Sequence, residues 1–593
     1  VNPSALRKSI KSILAAPSSL WLALTASLVL CAPALFTGLQ IDDLFHRAKL
    51  HPGGPSLEKY GSPDTIFDFA GGDPETTREI MDLGLFPWWT DPNLKLSFWR
   101  PVTEWTHKLD YALWPDTPFL MHIHSLLWWA ALVLVLGRLY RRVIPTPWIA
   151  GLAVIIYAID DAHAIPVAWV ANRNAVIAAV FAFATLYGHD RWRRARRPIH
   201  APLGFAALAA ALLANEGAIA IGAYLFAYAM FLDPAGRPRA LAALLPYAAI
   251  VALWRILYTA AGYGAAHSAA YIDPIRDPAR FLGAVAERAP VLLLAQWFAP
   301  PAEPYTFLPP TAQTIIWLLG IAAILILAVM GRRWLPHSTQ AAFFTTGMVL
   351  ALIPACATFT ADRLLLFVGF GASGLIALFV AAIAESTTTQ RPARLFAWTL
   401  VVIHLVVAPI MLPARILAFA YVGNGITHAV RTAPLANETH RKDVIVMNAP
   451  NFLFAAYLTI IRETYGLTIP NHVRSLSPNS GIPVAIAFTR EDAHTIAVRP
   501  DRGYPFILVR GYDNPFKPGD VVNLPGVEIT VRSVTPKGHP LEVAFEFDHH
   551  LDDPRYVWLR SKGFQFEKAA PPPLGETVIL SAPKTSNPPR PPF

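Results

Sequence analysis

The chain has 593 residues, of which 54% are hydrophobic and 15% charged, where soluble domains run to about 25% charged; its mean hydropathy is +0.40. These values exclude an ordinary soluble enzyme, a disordered protein and a nucleic-acid binder. The net charge of +9 is unevenly spread, and two cysteines, Cys31 and Cys356, exclude a disulfide framework or a thiolate zinc site.

Arg7, Lys8 and Lys11 precede an apolar run at 18–39. That run exceeds the roughly 7–15 residues of a signal-peptide core, so it reads as a retained anchor after a cytoplasmic segment, 1–17. Further apolar runs lie at 120–137, 147–160, 174–189, 202–214, 217–232, 241–260, 311–330, 339–357, 364–384 and 395–412. A membrane helix needs roughly 20 apolar residues, so the chain is expected to carry about eleven transmembrane helices. Asn215-Glu216 interrupts the run at 202–232, which reads as a hairpin rather than one long helix.

Basic residues set the orientation. With the N-terminus inside, the inner segments hold Arg138, Arg141 and Arg142; Arg191, Arg193, Arg194, Arg196 and Arg197; Arg237 and Arg239; Arg332 and Arg333; Arg391 and Arg394. The outer turns near 161–173 and 355–363 carry only Arg173 and Arg363. An odd number of spans then places the C-terminal region outside. Trp88, Trp89, Trp99, Trp128 and Trp129 are expected to form an interfacial belt.

The expected domains are a helical module at 18–412 with an acidic external loop at 40–119, an extracytoplasmic β-rich domain at 413–568, and a Pro-rich disordered tail at 569–593. In the β-rich domain PVAIAF, TIAVRP, PFILVRG, VEITVRSV, LEVAFEF and YVWLR alternate at period two, which predicts strands of an α+β or sandwich module. DVIVMNAP and FLFAAYLTIIRETYG predict one strand and one amphipathic helix before them. No residue there reads as catalytic. His549-His550 with Asp552-Asp553 could ligate a metal, but such a turn is ordinarily just solvated.

Ionisable groups beside membrane spans are costly and suggest function. Asp42 and Asp43 follow the first span. Asp160, Asp161 and His163 end the third, and Arg173 opens the fourth. Glu216 sits at the 202–232 turn, Asp362-Arg363 opens the tenth span, and Arg100 and Asp110 precede the second. His122 and His124, two apart on a helix, make a poor metal pair. Carboxylates at such a depth can act as a general base toward a hydroxyl. Arginines can hold a phosphate through charge-assisted hydrogen bonds. A lipid phosphate would carry its head group to this level. The chain has no P-loop and no GxGxxG, which agrees with a membrane-borne donor. Each feature also has a plain reading: a helix end meeting water, an interfacial ion pair, an interhelical hydrogen bond.

The order of these segments resembles the GT-C superfamily of polytopic glycosyltransferases, and within it the membrane O-mannosyltransferase-like proteins that usually carry TPR repeats. IDDLFHRA looks like the family's acidic pair in the first external loop. SFWRPVTEWTHKLDYALWPDTPFLMHIHSLLWW, YAIDDAHAIPVAWVANRNAVIAAVFAF, LLANEGAIAIGAYLFAYAMF and LIPACATFTADRLLLFVGFGASGLIAL follow in the family's order, and the likeness covers roughly 18–412. The chain departs from the family in lacking the repeats, in having Asp160-Asp161 where His-Pro is usual, and in having Asn174 after Arg173.

The resemblance implies an inverting transfer of a sugar from a polyprenyl-phosphate donor to a hydroxyl on a protein, lipid or glycan, at the outer face of the lipid bilayer. Asp42 would be the general base, with Asp43 supporting it or binding the acceptor. Arg363, Arg173 and Arg100 would bind the donor phosphate. Glu216, Asp160, Asp161, His163 and Asp362 would line the cavity. No cofactor is required, no residue set compels a metal although some relatives in the superfamily use a divalent one, and no nucleic acid is a partner. The expected location is a bacterial inner membrane with the C-terminal domain in the periplasm. Two rival classes are a transporter or flippase of a lipid-linked saccharide and a non-catalytic envelope assembly protein. The first would show paired repeats and mid-membrane charges; the second would tolerate loss of Asp42.

Overall fold

The computed structural model describes residues 3–51, 64–335, 338–386, 390–435, 442–478 and 485–581. Two compact units emerge. One comprises 1–39, 99–262 and 274–419; the other comprises 40–98, 263–273 and 420–593.

The first unit is helical. Among the described residues, eight helices are long and apolar enough to cross a membrane, or nine if the bent pair Pro147–Ala158 and Asp161–Ala168 is one span. His200–Leu212, Glu216–Phe231 and Thr339–Ala355 are apolar but shorter. The protein is thus a polytopic membrane protein. Proline opens many of these helices, at Pro118, Pro147, Pro278 and Pro310, where its missing N–H has no intrahelical partner to lose. Arg141 and Arg142, Arg191 and Arg193, and Arg332 and Arg333 fall in last turns, where the helix dipole favours a cation.

The count differs from the eleven expected runs in one respect that matters. Pro278–Phe298 is a further apolar helix, absent from those runs because Arg280, Glu287, Arg288 and the internal Pro290 dilute its hydropathy. With it, the expected outer placement of the C-terminal region rests on the basic residues that flank the last helices and not on the parity of the count. The interruption at 213–215 is real. Val102 N donates to Leu213 O, Thr103 Oγ1 to Ala214 O, and Asn215 Nδ2 to Asn174 Oδ1 at 2.7 Å, so the broken backbone is satisfied by neighbours.

Small residues let the central helices approach. Leu366–Glu385 is buried on nearly every face. A Cβ added at Gly371 would lie 2.6 Å from Met348 Cβ and 2.8 Å from Phe344 O on helix Thr339–Ala355. Backbone contact of this kind is how helices associate where lipid supplies no hydrophobic drive. Pro310–Trp334, in contrast, keeps most of its apolar surface exposed.

The second unit is α+β. A six-stranded antiparallel sheet runs in the order Thr577–Ser581, Ala485–Arg490, Thr495–Pro500, Pro540–Phe547, Val527–Val534, Val521–Leu524. A four-stranded sheet, Phe566–Lys568, Tyr556–Ser561, Asp443–Asn448, His472–Ser475, contains two parallel pairings. Asp68–Gly71, Lys95–Ser97 and Gly264–Ala266 form a small third sheet. The strand at 577–581 occupies part of the segment expected to be a disordered tail, and 582–593 lie outside the described residues. PFILVRG does not form a strand. There Ile507 has φ 34°, and Arg510 donates to Trp89 O, Thr90 O and Asn514 O, so the segment's polar groups serve a turn.

The external loop is divided: 40–98 packs with the C-terminal domain, and 99–119 with the helices. Trp88 and Trp89 are therefore core residues, not an interfacial belt. Trp88 meets Tyr504 at 5.0 Å and Phe545 at 5.8 Å between ring centroids, and Trp89 Nε1 donates to Pro505 O. Trp129, fully buried in the first unit, donates to Ser27 Oγ at 2.7 Å.

Candidate functional site

The site residues expected from sequence fall in both units. Asp42 and Asp43 open the helix Asp42–Leu50 of the second unit. The preceding Ile41 has φ 48° and ψ −113°, a costly conformation for a β-branched side chain. Asp43 is buried and accepts from Gln40 N at 2.8 Å, tying the first turn of the helix to the chain just before it. Asp42 is half-buried, and its Oδ1 accepts from Tyr457 Oη at 2.7 Å.

Tyr457 stands at the break between the short helices Leu453–Ala456 and Leu458–Thr464, in the stretch expected to form one amphipathic helix. Burial, then the charge of Asp42, pushes its phenol well above the usual tyrosine range, so it stays a neutral donor.

In the first unit, a polar cluster gathers around Arg415 in the helix Ala408–Arg431. Arg415 meets Asp161 at 2.9 Å, Glu303 at 3.1 Å and Asp362 at 2.5 Å. Asp362 also accepts from Ala302 N and donates its own N–H to Glu303 Oε1. Burial, and next the Glu303 carboxylate, raise the Asp362 carboxyl to about 7, against the pull of Arg415. Asp160 accepts from Ala162 N and from Gln296 Nε2 at 2.8 Å. His163 is buried beside Asp161, packed against the rings of Tyr157 and Trp129. Asp160, Asp161 and Asp362, expected to line one cavity, are thus brought together.

Arg100 and Glu216 also meet, through Nε to Oε2 at 3.0 Å and Nη2 to Oε1 at 2.5 Å. This paired fork commits Arg100 to a carboxylate.

Arg173 corrects an expectation. It is fully buried: Nη1 donates to Asp110 Oδ2 at 2.6 Å, Nε to Ser125 Oγ at 2.9 Å and Nη2 to Met121 O at 2.7 Å. His124 Nδ1 lies 2.6 Å from Asp110 Oδ1. A guanidinium so engaged is an internal tie and not a phosphate ligand.

Arg363 differs from the other arginines of this unit's expected site. It is half-buried, with its guanidinium over Trp169 at 5.4 Å and Phe359 at 5.3 Å. Among the described residues no carboxylate pairs with it. The rings hold it in place while leaving its charge uncompensated.

Sequence reading missed Arg415, Glu303, Gln296 and Tyr457. An arginine within the apolar stretch PIMLPARILAFAYV is a signal that could have exposed the first. Among the described residues no group of three or more His, Cys, Asp or Glu is arranged to hold a metal.

No protein-family model matches the chain, and none of the curated proteins does. Among solved structures, the chain is similar to the Archaeoglobus fulgidus oligosaccharyltransferase tethered with an acceptor peptide, with TM-score 0.35 and 12% identity over 77% of this chain. It spans 64% of that protein's length. It is also similar to ArnT from Cupriavidus metallidurans bound to undecaprenyl phosphate, with TM-score 0.34 and 15% identity over 79% of this chain and 93% of that one.

Proposed function

We propose that the chain is a GT-C type glycosyltransferase that moves a sugar from a polyprenyl-phosphate donor to a hydroxyl acceptor at the outer face of a bacterial inner membrane. The ordered sequence likeness supports the reaction class. The observation that carries the reading is Arg363, a guanidinium fixed by two rings with no acid of its own.

The acceptor hydroxyl gives its proton to Asp42. Its oxygen bonds to the anomeric carbon as the bond from that carbon to the phosphate oxygen breaks. One displacement inverts the centre and releases polyprenyl phosphate. Arg363 offsets the charge that develops on the leaving phosphate, which is where a fixed cation lowers a barrier most. Asp43 holds the helix start beneath the base. Arg100 and the Arg415 cluster shape the helical unit rather than bind phosphate, since their charges are matched by Glu216 and by Asp161, Glu303 and Asp362.

The test uses membranes containing the full chain and undecaprenyl-phosphate-linked glucose, mannose or galactose, with release of undecaprenyl phosphate as the readout. Asp42→Asn abolishes release. Arg363→Ala lowers it about 10²–10³-fold, the usual cost of one transition-state donor. Full activity in Asp42→Asn defeats the assignment of the base.

A further inference from the structure

We infer that Tyr457, from the C-terminal domain, is the positioning residue that orients and tunes the Asp42 carboxylate. This rests on the reading of Asp42 as the base.

The contact joins residues 415 positions apart in sequence at 2.7 Å, phenol hydrogen to carboxylate oxygen. Both ends of the arrangement are held by the fold. Asp42 sits at the first turn of its helix behind the strained Ile41, so its backbone has little freedom. Tyr457 lies where one short helix ends and the next begins. Thr459 Oγ1 pins the second helix to Leu83 O at 2.7 Å, and Arg462 Nε secures its end to Thr468 O at 2.6 Å.

A neutral O–H donor beside a carboxylate does two things. It fixes the plane of the acid, which a base needs if its acceptor is to be met at hydrogen-bond distance. It also favours the ionised form, so the base is ready at lower pH. The charge of Asp43 also opposes ionisation of the tyrosine and keeps it a donor. The arrangement gives the C-terminal domain a role in the chemistry, where sequence assigned it none.

The experiment compares the full-length wild type, Tyr457→Phe and Asp42→Asn in membranes, with undecaprenyl-phosphate-linked sugar as the probe. Release of undecaprenyl phosphate is followed against pH and donor concentration. Tyr457→Phe is expected to lower kcat about tenfold to a hundredfold, the range for a hydrogen bond to a charged group. Donor KM stays unchanged, and the acidic limb of the pH profile moves about one unit toward alkaline pH. Site-specific 3-fluorotyrosine at 457 keeps the shape and sharpens the donor, so its acidic limb moves the other way; it decides the matter if Tyr457→Phe does not fold. A wild-type kcat and pH profile in Tyr457→Phe, with Asp42→Asn inactive, overturns the inference and leaves the base standing. A folded Tyr457→Phe that loses activity with an unmoved pH limb, or an unmoved limb in the fluorinated protein, also overturns it. Activity in Asp42→Asn overturns the base itself.

Discussion

Replacing Asp110 with alanine tests whether Arg173 is an internal tie. Both side chains are fully buried, 2.6 Å apart, so Asp110→Ala leaves a guanidinium in the helical unit without its counter-charge. Breaking a buried pair from one side costs about 3–5 kcal/mol, because the remaining charge is uncompensated. The loss should fall at the upper end, since His124 also binds Asp110, at 2.6 Å. Removing both charges, as in Asp110→Ala with Arg173→Met, restores much of the stability, because a matched apolar pair carries no buried charge. Unfolding of the purified protein in detergent, by denaturant or heat, measures all three variants. The donor KM of any folded variant should match wild type. A loss under about 1 kcal/mol in Asp110→Ala, a double variant as unstable as the two singles summed, or a raised donor KM refutes the tie.

The Asp362 carboxyl gives a stability signature with a definite sign. The folded state holds its proton up to about 7, while the ordinary value is 3.8, so the native protein binds more protons in that window and loses stability as pH rises through it. Melting in detergent at fixed salt should show this decline, and Asp362→Asn should flatten it. Gly371→Ala should destabilise by about 1–3 kcal/mol through overpacking against Met348 and Phe344, whereas Gly222→Ala, with open space around it, should be neutral or stabilising; thermal melts of the two separate the cases. Trp88→Ala should cost about 3–5 kcal/mol and expose 40–98 to protease, as read by limited digestion of the intact protein.

The helical unit was legible because lipid demands long apolar runs, and each of the eleven expected runs matches an apolar helix or the bent pair, three of them short. The helix Pro278–Phe298 escaped because three charges and a proline sit inside it. Strands such as Val527–Val534 and Pro540–Phe547 announced themselves by alternation. PFILVRG has the same composition but spends Arg510 on a turn, a tertiary choice that no local pattern carries. The acidic groups Asp160, Asp161 and Asp362 could be picked out by their place at helix ends, yet not their common partner, since Arg415 follows the last expected span and reads as part of another domain. Arg173 shows the converse. Its position at a helix start looks functional, and only its burial against Asp110 reveals an internal role. Tyr457 lies in an unremarkable apolar stretch, and nothing local marks a tyrosine that serves an acid hundreds of residues away.

The division of the first loop has a consequence for biosynthesis. Residues 40–98 leave the ribosome early, but apart from 263–273, which supply the strand beside Lys95–Ser97, the rest of their unit begins at 420, so 420 − 98 = 322 residues must be made before the unit can close. At about 5–20 residues per second, that interval is roughly a quarter of a minute to a minute. Throughout it Trp88, Trp89 and the strained start of the Asp42 helix have no core to enter. A nascent chain halted in that interval would present an apolar, incomplete segment to chaperones and proteases, so a half-made copy is marked for disposal.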